Sequence, residues 1–178
     1  MRDCNIVKNT IIIFILFILS GCATIPPGVE AVRGFDASRY QGRWYEIARL
    51  DHSFERGLSN VSATYTLRSD GGIDVLNKGF DERCGKWKEV RGLANFLGDS
   101  TVGRLKVTFF WPFYGGYNVI YLDNENYSYA LVCGPNRSYL WILARDKILG
   151  RAVIAKLVKA AKDSGFNVDG LIFVEQDN

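Results

Sequence analysis

Between residues 44 and 144 the chain repeats one pattern: short segments in which apolar and polar residues alternate, separated by connections of a few residues. Val61, Ala63, Tyr65 and Leu67 alternate with Ser62, Thr64, Thr66 and Arg68, and Leu105, Val107 and Phe109 alternate with Lys106 and Thr108. A period of two sends one set of side chains to a dry face and the other to water, as in a half-buried β-strand. Strands are predicted over 44–50, 61–67, 73–80, 90–97, 105–110, 117–122, 127–133 and 139–144, with Ser69-Asp70-Gly71-Gly72 as a tight hairpin turn. Parallel strands need a crossover of about a dozen residues or more, usually a helix, so these connections predict an antiparallel sheet. Eight such strands can close into a barrel that holds one small ligand. The 18 Gly and the abundant Trp (4), Tyr (9) and Phe (11) suit tight turns around an aromatic interior.

Only after the eighth strand does the period change. Ile154, Leu157, Val158 and Ala161 form an i, i+3, i+4, i+7 stripe, with Lys156, Lys159, Lys162 and Asp163 off it and Gly165 where a helix ends. The expected fold is therefore all-β. It is an eight-stranded antiparallel up-and-down barrel, with one C-terminal helix packed outside and a short final strand at 171–174. The basic side of that helix (Arg151, Lys156, Lys159, Lys162) reads as a solvated face, with contact to anionic lipid as the alternative.

The N-terminus is an address. Arg2 and Lys8 precede the apolar run 11–19, which as a helix spans only about 14 Å of a roughly 30 Å hydrocarbon core. This is the layout of a secretory signal. Leu19-Ser20-Gly21-Cys22 resembles the bacterial lipoprotein cleavage box, in which the cysteine is acylated after the signal is cut before it. That resemblance implies a signal peptide at 1–21, a lipidated Cys22 opening a tether at 22–34, and a barrel domain at 35–178. Ala23 after the cysteine favours the outer membrane of a Gram-negative bacterium, with the barrel facing the periplasm. A tether of residues 23–33, with Pro26-Pro27-Gly28, could lift the barrel about 36 Å when fully extended.

The same residues exclude several functions. A net charge of +3 without a Lys/Arg block argues against nucleic acid. The only His, His52 in Asp51-His52-Ser53, leaves no metal site needing two imidazoles and no catalytic triad, and it reads as a loop residue. No phosphate loop, HExxH or Cys-x-x-Cys occurs. No catalytic residue, metal or cofactor is expected, and the chain does not read as an enzyme.

Gly42-Arg43-Trp44-Tyr45-Glu46-Ile47-Ala48-Arg49, Tyr121-Leu122-Asp123 and Leu140-Trp141-Ile142-Leu143-Ala144-Arg145 together resemble the three lipocalin motifs, in order. Phe54-Glu55-Arg56-Gly57 and Pro112-Phe113-Tyr114-Gly115-Gly116-Tyr117-Asn118-Val119 are similar to the bacterial lipocalins, relatives of apolipoprotein D and plant temperature-induced lipocalins. The resemblance spans residues 35–174. It implies a carrier of an apolar or amphiphilic ligand, a fatty acid or lysophospholipid, serving the cell envelope. The other reading is an interaction protein that docks on a membrane or partner through an aromatic rim. A homodimer is left open, since no sequence feature marks its interface.

Residue by residue, Gly42, Trp44 and Arg145 are expected to close the barrel floor. There the guanidinium can stack on the indole and donate to carbonyls as Lys cannot. Strand parity offers Val61, Ala63, Tyr65, Val75, Leu105, Val107, Phe109, Tyr117, Val119 and Tyr129 as the ligand wall, though parity on the last two strands is ambiguous because both faces are apolar. If the first strand starts at the closed end, Phe54, Trp111, Phe113 and Tyr114 cluster at the mouth, with Arg56, Lys86 and Arg137 as nearby cations. Once Cys4 leaves with the signal and Cys22 takes lipid, Cys84 and Cys133 remain. A disulfide between them is left open, because the strand order sets them across the mouth and only an infolded loop brings Cα atoms within about 7 Å.

Overall fold

The computed structural model describes residues 24–177. The expected signal, Cys4 and the expected lipidation site Cys22 lie outside them. The elements run α1 (Ala37–Tyr40), β1 (Gly42–Leu50), β2 (Leu58–Leu67), β3 (Ile73–Asp81), β4 (Lys86–Phe96), β5 (Arg104–Phe110), β6 (Phe113–Leu122), β7 (Tyr129–Cys133), β8 (Leu140–Ala144), α2 (Arg151–Asp163) and β9 (Leu171–Phe173). Each strand from β1 to β8 pairs antiparallel with the next, and β1 also pairs with β8, which closes the ring. This is the expected eight-stranded up-and-down barrel, with its outer helix and extra strand.

The strands β2, β4 and β6 begin three or four residues before their apolar alternation does, at Leu58, Lys86 and Phe113. In β4 the cause is visible in the pairing: exposed residues 86–89 continue the ladder to β3 by backbone hydrogen bonds where no core lies beneath. The turn at residues 68–72 is set by Gly71, whose φ of +82° suits a residue without a Cβ. The short helix α1 went unread in the sequence. Asp36 caps it by accepting from Ser38 N at 2.8 Å.

Apolar side chains gather on the two faces of the wall. Inside are Trp44, Tyr65, Val75, Leu105, Val119, Val132 and Leu143; outside are Ile47, Leu131, Leu140 and Ile142, which pack against Leu157 and Ala161 of α2. The first residues of β1 lie at the closed end. The β1–β2, β3–β4, β5–β6 and β7–β8 connections therefore surround the mouth.

The β1–β2 pairing covers only Gly42–Tyr45 against Tyr65–Ser62. Above it, β9 pairs with β1 at Ala48–Leu50. Residues 174–177 then fill the seam between β1 and β2. Gln176 Nε2 donates to both Glu46 O (2.9 Å) and Val61 O (2.8 Å), and Asn60 N donates to Glu175 O at 2.8 Å.

One expectation changes here, and one open alternative is decided. The tether is not a free linker over its described part. From Thr24 to Arg33 it is a strap on the barrel's outer surface, with Pro26 and Val29 buried and Val32 N donating to Val119 O at 2.8 Å. Its apolar residues Ile25, Val29 and Val32 find core neighbours, so packing wins over chain entropy. Nor is there a Cys84–Cys133 disulfide. Cys133 is a free thiol, buried at the end of β7 on the outer face, while Cys84 belongs to the β3–β4 turn.

Candidate functional site

The floor is built around Trp44, which is fully buried and donates from Nε1 to Tyr40 O at 2.7 Å. The Arg145 guanidinium lies 4.0 Å from the indole centroid. It donates to the carbonyls of Arg43 (2.9 Å), Arg39 (2.8 Å), Tyr40 (3.2 Å) and Tyr127 (3.2 Å). Such a planar, many-donor cation joins α1, the start of β1 and the β6–β7 connection across the closed end. Gly42, at φ +97°, leaves the space that Arg145 crosses.

Above the floor three phenols form a chain. Tyr117 Oη is 2.7 Å from Tyr40 Oη and 2.8 Å from Tyr65 Oη. Burial holds the pKa of Tyr40 and of Tyr117 well above the ordinary tyrosine value, and it raises that of Tyr65 for the same reason. All three are therefore neutral hydrogen-bonding groups at physiological pH.

Ala63, Tyr65, Val75, Leu105, Val107, Phe109, Tyr117 and Val119 belong to this interior cluster. Val61 is buried above Gly79, where a Cβ would meet its Cγ2 at 3.3 Å. Tyr129 does not line the interior. It pairs with Ala144 on the outer face, with Tyr121 stacked at 6.3 Å and Lys156 Nζ 5.9 Å from its ring. The inward residues of β7 are Ala130 and Val132. The cavity among Phe35, Tyr40, Tyr65, Leu105, Val107 and Tyr117 has only about 10 Å³, room for one water at most.

Toward the mouth the inner face turns polar. Glu46 pairs with Leu143 and Arg49 with Trp141, and both partners face the interior. An irregularity between Glu46 and Ala48 brings Glu46 and Arg49 onto one side, where Arg49 Nη1 donates to Glu46 Oε1 at 2.7 Å. Arg49 Nη2 donates to Glu55 O at 2.8 Å. Glu55 Oε2 accepts from Trp141 Nε1 at 3.0 Å and lies 2.9 Å from His52 Nε2. Burial, reinforced by the Glu55 charge, pushes the Glu46 carboxyl well above the usual range despite Arg49. For Glu55 burial acts upward too, yet His52, Trp141 and Arg49 outweigh it and hold the carboxyl below its ordinary value. The directions of the two shifts favour a protonated Glu46 held by Arg49, with the charge of the Glu55 carboxylate set beside His52 and Trp141. Buried polar atoms here without protein partners include Arg49 Nε, His52 Nδ1 and Asn77 Oδ1.

The mouth aromatics form separate groups. Phe54 is 61% exposed and stacks on His52 at 3.9 Å, beside Tyr139 and Trp141. Trp111 and Phe113 cap the β5–β6 hairpin with Phe110, while Tyr114 lies under Lys106 Nζ at 5.0 Å. Arg56 is paired with Asp51. Arg137 is not a mouth cation: it donates to Pro27 O (2.8 Å) and Ser164 O (3.1 Å), tying the strap to the end of α2.

A family model described as a lipocalin-like domain matches residues 35–176, the whole barrel, α2 and β9. The chain belongs to the lipocalin family. Outer membrane lipoprotein Blc of Vibrio cholerae is 53% identical over 159 residues, covering 89% of this chain and 93% of that one. Outer membrane lipoprotein Blc of Escherichia coli is 52% identical over 162 residues, 90% and 91% of the two chains. Apolipoprotein D of Macaca fascicularis is 31% identical over 164 residues, 89% and 84%. Among solved structures, insecticyanin from Manduca sexta superposes with a TM-score of 0.71 at 22% identity, covering 87% and 88%, a likeness of fold.

This lipocalin is accordingly a ligand-binding lipoprotein of the outer membrane and not an enzyme. Sequence reasoning missed the Glu46–Arg49–Glu55–Trp141 layer of the lipocalin barrel, although all four residues stand in quoted motifs. A signal was present: alternation in β1 breaks at Glu46-Ile47-Ala48-Arg49, where a charge at each end brackets two apolar residues.

Proposed function

We propose that this lipocalin carries a single-chain amphiphile, a fatty acid or lysophospholipid, with its tail directed to the floor and its head at the polar layer. The observation that carries this reading is the change of lining along the barrel axis. Near the floor stand Tyr65, Val75, Leu105, Val107 and Tyr117; toward the mouth stand Glu46, Arg49 and Asn77, with Arg49 Nε and Asn77 Oδ1 among the unpartnered polar atoms. A tail gains from apolar contact, and a headgroup meets polar atoms that lack partners. Because so little free volume separates the lining side chains, a tail enters by turning them aside. Cys22 carries the acyl anchor, and the barrel stands on the periplasmic side, where it stores or transports lipid for envelope upkeep.

Native mass spectrometry of the protein, extracted gently from its own membrane, tests this reading. A retained single-chain lipid near one per barrel is the expected result, with displacement of a fluorescent fatty acid by lysophospholipid. Empty barrels that bind neither probe would overturn it.

A further inference from the structure

We propose that the barrel meets its membrane mouth-first, with the β5–β6 hairpin tip inserted into the bilayer interface beside the anchor. This rests on the reading above that Cys22 carries the lipid.

The argument starts from where the strap leads. Val32 is held between β6 and the approach to β5, with its N donating to Val119 O and its O accepting from Gly103 N. Toward its N-terminal side the strap rises along β6. Thr24 Oγ1 donates to Pro135 O in the β7–β8 mouth connection at 3.3 Å, and Asn118 Nδ2 donates to Thr24 O at 3.1 Å. The Thr24 carbonyl occupies the space that a Cβ on Gly116 would need. Gly116 stands three residues below Phe113, so Thr24 lies about 10 Å from the hairpin tip. Cys22 precedes Thr24 by two residues, a reach of about 7 Å for its Cα. An acyl chain on Cys22 therefore enters the bilayer from the mouth half of the barrel. The slack of a free tether, about 36 Å, does not exist.

At that end stands the most exposed apolar group among the described residues. Trp111 is 82% and Phe110 73% exposed, with Phe113 beside them and no charged residue from 107 to 122. Aromatic side chains of this kind favour the headgroup region of a bilayer, with Trp most suited to it. On the other candidate surface, the basic side of α2, two of the four cations are engaged within the fold: Lys159 pairs with Asp163 at 2.5 Å, and Lys156 lies over Tyr121 at 5.2 Å. The occupant of the hairpin tip is the bilayer that holds the anchor. A lipid can then pass between bilayer and barrel without crossing water.

The test uses the mature, full-length protein in phosphatidylethanolamine–phosphatidylglycerol vesicles with brominated acyl chains, which quench nearby indoles. Intact mass first establishes whether Cys22 is acylated. With Cys22 acylated, quenching is expected to fall mainly on Trp111, so Trp111→Phe, at an exposed position that leaves the core untouched, loses at least two thirds of the quenched signal. Acylated protein whose quenching is the same with and without Trp111 overturns the mouth-first placement while leaving the anchor standing. A mature protein without acyl mass at Cys22 removes the anchor, and the placement with it.

Discussion

Gly42 and Arg145 share one small volume: a Cβ on Gly42 would stand 3.2 Å from Arg145 Nη1, in a backbone conformation of φ +97° that L side chains rarely adopt. The first residue of β1 is thus fitted to the cation that follows β8, and both are fitted to Trp44.

Gly42→Ala is expected to cost about 2 kcal/mol, from backbone strain and a displaced guanidinium. Arg145→Ala is expected to cost about 2–3 kcal/mol, from a lost cation–π contact and carbonyls left to water. Thermal unfolding should fall by about 4–8 °C for the first and somewhat more for the second. Ligand bound per folded molecule should stay constant. Lost binding at an unchanged melting temperature would assign Arg145 to the ligand.

The polar layer makes stability depend on pH in two opposed ways. Glu46 titrates above its unfolded value of about 4.5, so its contribution is complete below that pH and declines as pH rises. Glu55 titrates below the same value, so its contribution is present above it and is lost as pH falls through the folded value. Glu46→Gln should keep the bond from Arg49 and flatten the decline above pH 4.5, leaving the melting temperature at pH 7 equal or higher. A loss of more than about 2 kcal/mol at pH 7 would mean that Glu46 is ionised in the fold.

Tyr117→Phe removes the middle hydroxyl of the Tyr40–Tyr117–Tyr65 chain and strands the outer two. The expected cost is about 1–3 kcal/mol, for buried hydroxyls left without partners. The triple Phe variant at positions 40, 65 and 117 should recover part of this, since nothing polar is then left unpaired. A triple variant less stable than the single one would show that the chain is worth more than its separate bonds.

Burial pushes the Cys133 thiol up to about 12. The thiolate is the reactive form, so alkylation without reductant at pH 8 should leave Cys133 unlabelled until denaturant is added. Rapid labelling in the native protein would show that the outer cluster under α2 opens.

Legibility in the sequence followed how locally each feature is determined. Alternation in β2 and β5 depends on one dry and one wet face, and it identified inward residues such as Ala63, Tyr65 and Leu105. Tyr129 was misplaced because α2 covers the outside of β7, making both faces apolar and leaving parity without contrast. Arg137 looked free because its partners, Pro27 and Ser164, are 110 and 27 positions away. The strap read as a tether because its prolines and glycine also suit a linker, while its value as structure lies in Ile25, Val29 and Val32 meeting a surface that only the folded barrel presents. The polar layer was hidden by an irregularity in β1 that no period describes.

The seam between β1 and β2 carries a consequence for the order of assembly. Gln176 joins two strand carbonyls that precede it by 130 and 115 positions, and Asp177 N donates to Asn60 Oδ1 at 2.7 Å. Each hairpin from β2 to β8 joins neighbouring stretches of chain, whereas the wall beside Glu46 is completed by contacts of much longer sequence separation, which cost more chain entropy to close.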